Sequence, residues 1–212
     1  MTERNANLEV ARDPATQRRR NILDVAIRVF AENGFGHADV QVIADEVGVG
    51  KGTVYRNFGT KEKLFLAAAD EGMRQLQDAI FASVSGIEDD IEFIRAACRS
   101  YVRFFQQRPT LVEILIQERA QFRNSIPATH LVYRERNRGV FEQRIQRAVD
   151  AGVLRPVSAR DTATALGNLL YGTVVCGCLS GSVRQLTRTV EASLELFLNG
   201  ILAERVAPTD SG

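Results

Sequence analysis

Residues 48–58 read GVGKGTVYRNF, with glycines at 48, 50 and 52 followed by a threonine, a tyrosine, an arginine and an asparagine around Lys51. Glycines beside a lysine and a hydroxyl are suited to holding phosphate, because backbone N–H groups can approach an anion that no Cβ obstructs. The nucleotide-binding loop G-x-x-x-x-G-K-[ST] requires Lys directly after its last Gly, and it follows a buried strand. Here Lys51 lies between Gly50 and Gly52, and Asp45 occupies the position five before Gly50. The preceding VQVIADEVGV has apolar residues at Val40, Ile43, Ala44 and Val47, which is helical spacing. The nucleotide loop is therefore rejected, and the phosphate must belong to something else.

Two short helices, near 40–47 and 51–57, joined by EVGVGKG, form a helix-turn-helix. Gly48 supplies the left-handed residue of the turn, Val49 packs beneath it, and Gly50 caps the second helix without a side chain. Gly52 leaves that helix free to lie close to a phosphate backbone. Its first turn presents Lys51, Gly52 and Thr53, and the next presents Tyr55, Arg56 and Asn57. In a major groove, Arg and Asn suit base edges, whereas Lys, Thr and Tyr suit phosphates. The same spacing also fits a surface helix on which Lys51 and Arg56 are merely solvated.

The surrounding pattern is helical throughout. Prolines at 14, 109, 127, 156 and 208 all fall where the periodicity breaks. Helices are expected near 14–33, ended by Asn33-Gly34; at 40–47, capped by Asp39; at 51–57; and from a Thr60 cap to about Val84. Beyond Gly86 come a stripe from Ile91 to Phe105, a helix over 109–122, one over 128–151, one opened by Ser158 and Asp161 at capping-box spacing to about 180, and a last one over roughly 185–205.

In the 212 residues, 27 Lys and Arg nearly balance 26 Asp and Glu, so attraction to nucleic acid must come from local placement. No apolar run approaches bilayer length, and MTERNANLEVARD lacks the apolar core of a signal peptide. The three cysteines fit a reducing cytosol. Cys176 and Cys178, with no second ligand pair, are read as small packing residues rather than a metal site. The two histidines, His37 and His130, belong to no nucleophile–base or metal constellation. No enzyme activity, metal or cofactor is expected.

From Thr16 to about Met73 the chain closely resembles the N-terminal domain of TetR-family transcriptional regulators. The matching string is QRRRNILDVAIRVFAENGFGHADVQVIADEVGVGKGTVYRNFGTKEKLF. Its family-like marks include Ala26, Phe30, Gly34-Phe35, Ile43-Ala44, Gly48-Val49, Gly52-Thr53, Tyr55, Phe58 and Lys61-Glu62 with Leu64. The resemblance implies an all-α homodimer that binds a palindromic operator, usually as a repressor. It also implies an N-terminal three-helix helix-turn-helix DNA-binding domain (16–76), joined by a long helix to a larger effector-binding and dimerisation domain (77–206). An architectural or protein-recruiting factor on the same fold, without an inducer, is the alternative.

Carried over by position, the helix-turn-helix is 39–58 and Lys51–Asn57 is the recognition helix. Gln41 takes the polar contact of the preceding helix, Tyr55 the phosphate-contacting tyrosine, and Lys61 the backbone-contacting lysine. Three departures stand out. Ala38-Asp39 replaces a common Thr/Ser pair, Gly50 replaces a frequent Ser, and Arg56-Asn57 replaces an aromatic-His pair. Arg18-Arg19-Arg20 reads either as a solvated face or as further backbone contacts, and His37 as exposed and structural.

An effector pocket should show polar residues interrupting apolar stripes. Glu118 interrupts Leu111, Leu115 and Phe122, and Asn137 interrupts Tyr133, Phe141, Ile145 and Val149. Glu118 either orients a ligand or pairs with an arginine such as Arg138. Tyr101, Phe104, Phe105 and Tyr171 either line or fill such a cavity. The last two helices are the family's usual dimer surface. Gly167, Gly172, Cys176 and Gly177 would permit close approach there, and Leu194, Phe197, Leu198 and Ile201 would form the apolar face.

Overall fold

The computed structural model describes residues 14–122 and 126–201. Among these residues there are nine α-helices, one short 3-10 turn (Val183–Gln185) and no strand. The helices are α1 (Pro14–His37), α2 (Val40–Val47), α3 (Lys51–Phe58), α4 (Lys61–Val84), α5 (Asp90–Gln107), α6 (Thr110–Phe122), α7 (Thr129–Asp150), α8 (Ala159–Leu179) and α9 (Leu186–Ile201). The fold is all-α, as expected. The expected continuation of the last helix to 205 lies outside the described residues.

Local chemistry accounts for the ends. Helix α1 is broken at Gly34, whose φ of 74° is open only to a residue without a Cβ constraint. The Thr60 hydroxyl accepts the Lys63 amide at 3.2 Å and so caps α4, and the Ser158 hydroxyl accepts the Asp161 amide at 3.2 Å to cap α8. Asp89 accepts the Glu92 amide at 2.7 Å and caps α5.

Packing divides the chain into two compact units. The first joins the chain up to Gln75 with Thr110–His130, and the second joins Leu76–Pro109 with the chain from Leu131. Helix α6 thus lies in the first unit, although α5 and most of α7 lie in the second. The cause is its apolar content. Leu111, Val112, Ile114 and Leu115 are all buried, and α6 packs on α1. Gly72 of α4 leaves room for this, since a Cβ there would stand 2.3 Å from Leu111 Cδ1.

Four phenylalanines tie the first unit together. Phe65 meets Phe30 edge-on at 5.1 Å and Phe35 at 5.3 Å, and Phe35 meets Phe122 at 5.4 Å. These are the separations at which aromatic edges favour faces. One ring from α4 thus holds α1, the turn after Gly34 and α6.

In the second unit α9 packs against α5 and α8. Its inward stripe is Leu186, Val190, Leu194 and Leu198. Leu194 and Leu198, expected on a dimer face, are thus core residues of the chain itself. Phe197 is half-buried, and Leu196 is 76% exposed. Gly177 likewise serves internal packing, because a Cβ there would stand 2.4 Å from Leu186 Cδ2. Gly167 lies against Arg134 for the same reason, whereas Gly172 faces open space and Cys176 is exposed.

Among the described residues, helix α8 is borderline in apolar content. An 18-residue stretch of its 21 residues has a mean hydropathy of 1.3, long and apolar enough to cross a membrane by length and composition, and 22% of that stretch is buried. Leu166, Leu170 and Val174 face the core, and Leu179 is 68% exposed.

Replacing Phe65 with Ala removes the ring that touches Phe30, Phe35 and Phe122. It is expected to cost about 3–5 kcal/mol, read as a fall in the urea midpoint. A midpoint within experimental error of wild type would show that the ring cluster is dispensable.

Candidate nucleic-acid interface

The helix-turn-helix is built from α2, a three-residue turn and α3. The Asp39 carboxylate caps α2 by accepting the Gln41 amide at 2.8 Å. At the other end, Gly48 takes φ 73° and ψ 35°, the left-handed conformation expected of it. Its amide reaches the Asp45 carbonyl at 3.1 Å, and the Val49 amide reaches Ala44 at 2.9 Å, which satisfies the last carbonyls of α2. Gly50 is extended and caps α3 with its carbonyl, which accepts the Thr53 amide at 2.8 Å.

Helix α3 buries Val54 and Phe58 and turns the rest outward. Gly52, Tyr55, Arg56 and Asn57 are exposed, and Lys51 and Thr53 are half-buried. A Cβ on Gly52 would meet nothing within 4 Å, so the chain's own packing does not require glycine there. The arginine just before the buried stripe of α1 also bears on α3. The Arg19 guanidinium lies 4.4 Å from the Phe58 ring centroid, a cation–π contact on the last residue of α3. Arg28 bonds both Glu32 and Glu46, which fastens α2 to α1.

Most of the polar side chains expected to meet DNA already have partners. Lys51 Nζ lies 2.9 Å from Asp39 Oδ1. The Gln41 amide and Lys51 together hold the Asp39 carboxyl below the usual carboxylate range, and Asp39 raises Lys51. Lys61 donates to the Gly36 carbonyl at 3.1 Å and stands 5.2 Å from the Phe35 ring centroid, so it clasps the turn after Gly34. Gln41 Nε2 donates to Asp45 at 2.7 Å, and Asn57 Nδ2 donates to the Thr53 carbonyl at 2.7 Å. Arg56 makes no ion pair with any described residue and projects from the exposed side of α3.

The residues proposed for an effector pocket divide between the two units. Leu115 and Glu118 lie in the first, and Tyr101, Phe105, Tyr133, Asn137, Phe141 and Tyr171 in the second. Tyr101 and Phe105 are in ring contact at 5.0 Å, and burial, reinforced by nearby Tyr171, raises the Tyr101 phenol well above its ordinary value. Phe141 meets Phe93 at 5.9 Å, Tyr133 is buried, and the Asn137 amide donates to the Tyr133 carbonyl at 2.9 Å. A depression of about 520 Å³ at Glu142, Gln143, Gln146, Ser158 and Arg160 contains none of the expected residues and is polar.

Glu118 is buried, and its carboxylate accepts the Thr129 amide at 3.1 Å and the Thr129 hydroxyl. Arg138, the arginine considered for it, is bonded to Glu135 and lies 2.7 Å from Glu142. Glu118 is therefore an acceptor for the first residue of α7. Burial pushes its carboxyl above the usual range despite these bonds.

Residues 22–68 match the family model described as bacterial regulatory proteins, tetR family. The match covers the helix-turn-helix region of the chain. It is similar to the transcriptional repressor AcnR of Corynebacterium glutamicum, with 37% identity over 70 residues, which covers 33% of this chain and 37% of AcnR. It is also similar to the transcriptional activator FasR of Mycolicibacterium smegmatis, with 30% identity over 93 residues, 44% of this chain and 42% of FasR. The chain thus spans well under half the length of these curated relatives. Among solved structures, the regulator FadR of Bacillus subtilis in complex with stearoyl-CoA has the same fold, with a TM-score of 0.72 at 20% identity over 86% of this chain and 98% of that one.

The Glu118 geometry sets a stability test. Gln at 118 keeps an acceptor for Thr129 and removes the buried charge, so Glu118→Gln should be at least as stable as wild type at neutral pH. Because burial raises the folded pKa, protonation favours the folded wild type, and the advantage of Gln should vanish as pH falls through that value. Ala at 118 strands the Thr129 amide and should cost about 1–3 kcal/mol. Urea melts across pH check both, and a Gln variant that fails to fold would mean that the charge itself is needed.

Proposed function

We propose that this chain is a cytoplasmic, homodimeric, sequence-specific DNA-binding regulator of transcription. It acts as a repressor that a small, largely apolar effector releases from a palindromic operator. The observation that carries the reading is the outward face of α3. Val54 and Phe58 anchor that helix, the glycine at 52 meets no packing need of the described residues, and Arg56 points outward without an ionic partner among them. Such an arginine is free to pair bidentately with guanine. Lys51, Thr53, Tyr55 and Lys61 would meet phosphates, and Gln41 and Asn57 would join once their present hydrogen bonds are exchanged.

The homodimer is supported by apolar surface left uncovered in one chain. Leu179 on α8 and Leu196 on α9 are 68% and 76% exposed, and α8 is apolar along its length. Exposed apolar surface of this kind favours a partner, and a second copy related by a two-fold axis is the commonest one. The operator's palindrome would follow from that axis. We assign DNA binding to 16–76 and effector binding with dimerisation to 77–206. Tyr101 and Tyr171, half-buried in the second unit with the buried Phe105, support an apolar effector with a hydrogen-bonding group. Because one relative carries stearoyl-CoA in its solved structure, a fatty acyl thioester is the first compound to titrate.

Selection from a random duplex library is expected to yield a palindromic site. On that site Arg56→Ala should lose about 1–3 kcal/mol per half-site, and on a scrambled duplex much less, in competition binding at fixed salt. Equal loss on both would demote Arg56 to a backbone contact. Release of the selected duplex by an acyl thioester would support the inducible reading, and indifference to every effector tried would favour an architectural factor.

Leu179→Asp with Leu196→Asp places charge on exposed apolar surface without disturbing the core. Sedimentation should then report a monomer, and an unchanged dimer mass would remove this face from consideration.

A further inference from the structure

We infer that Asp39 acts as a built-in counter-anion at the DNA-facing edge of the helix-turn-helix, occupying the place of a backbone phosphate and lowering the affinity of the chain for DNA. The inference rests on the DNA-binding reading given above and concerns a residue to which that reading assigns no role.

One carboxylate joins the two helices of the motif. As the cap of α2, Asp39 accepts the Gln41 amide at 2.8 Å, and the same oxygen, Oδ1, lies 2.9 Å from Nζ of Lys51, the first residue of α3. A phosphate oxygen would be bound by this same chemistry: an N–H at the positive end of a helix and a lysine ammonium. Asp39 is exposed, so it is not buried structure that happens to touch a lysine. Its carboxyl is held ionised by the Gln41 amide and Lys51, with a smaller contribution from the charge of Lys61. Asp45, also exposed, adds a second carboxylate to the same helix, where it holds the Gln41 side chain.

The consequence follows from counterion release. DNA affinity grows with each cation that neutralises a phosphate and frees a condensed ion. A lysine already paired with Asp39 brings its own counter-charge, so DNA must either displace the carboxylate or accept it beside a phosphate. In both cases the contact of Lys51 is weakened. The effect does not depend on base sequence, because Asp39 neighbours the backbone-contacting lysine and not Arg56.

Asp39→Asn retains a side-chain oxygen to cap α2 and removes the charge. Binding of full-length wild type and variant is measured by fluorescence anisotropy on the duplex selected by wild type and on its scrambled version, from low to moderate salt. Asp39→Asn should tighten binding to both duplexes by about 2–5-fold per half-site and steepen the salt dependence by about one unit per half-site. In a Lys51→Met background the gain should disappear. Asp39→Ser, which also caps a helix, should reproduce the gain and guards against a fold defect in the Asn variant. Unchanged or weaker binding by folded variants, or a gain that persists without Lys51, overturns the inference while wild-type binding leaves the regulator reading intact. A wild type that retains no duplex even at low salt overturns the regulator reading and this inference together.

Discussion

The arrangement of the first unit depends on closing the end of α2 and starting α3 within three residues. The last carbonyls of α2 must find donors, and the first amides of α3 must find acceptors, in a turn too short to recruit other elements. Gly48 solves the first problem by going left-handed, which turns its own amide and that of Val49 back onto α2. Gly50 solves the second with its backbone carbonyl alone. Once the turn is closed, the direction of α3 follows from two buried side chains, Val54 and Phe58. Every other side chain on that helix is left for contacts outside the chain or along its own edge.

Those outward side chains are not idle. Lys51, Lys61, Gln41 and Asn57 each hold a hydrogen bond or ion pair within the first unit, whereas Arg56 holds no ion pair with any described residue. Binding of a polyanion to such a surface is an exchange of partners rather than an addition of new ones. Groups that give up a neutral carbonyl, as Lys61 does at Gly36, exchange cheaply for a charged phosphate oxygen, because charge-assisted bonds are the stronger kind. A lysine that gives up a carboxylate gains much less. The two lysines are alike in sequence terms but differ physically, and the difference is set by a single acidic residue on the neighbouring helix.

Helix boundaries and the turn were legible in the sequence because they are local. Asp39, Gly48, Thr60 and Ser158 each act through a bond to a residue within five positions, and their effects appear where spacing placed them. What spacing did not reveal was partner choice across distance. The stripe Leu111, Ile114, Leu115 is the same whether α6 belongs with α1 or with α5, so its place in the first unit was not readable. Glu118 in an apolar stripe announced a need for a partner, but the partner was an amide and hydroxyl at Thr129, eleven residues on across a proline. The Asp39–Lys51 pair was hidden for the opposite reason. Asp39 was fully explained as a cap, and nothing in the sequence marks a residue that serves two ends at once.

The apolar residues of α8 and α9 carry the same lesson about faces. Leu194, Phe197, Leu198 and Ile201 read as one surface in the sequence, yet a helix turns 100° per residue and shares its apolar residues between two sides. The chain keeps Leu194 and Leu198 for its own core and leaves Leu196 outside. Helix α8 is divided in the same way, with Leu166, Leu170 and Val174 inward and Leu179 outward. Glycine is divided too: Gly177 receives Leu186 from within the chain, while Gly172 stays open. What remains outside is apolar and small together, the combination that lets another helix come near without stranding polar groups. A membrane would accept the same composition but not the exposed charges of Glu191 and Glu195 on the neighbouring helix, and Glu195 is bonded to Arg95 of α5. Those charges sit within a turn or so of Leu196, so the surface available for burial is a band and not a whole helix. A band suits a second protein helix of matching shape better than it suits lipid.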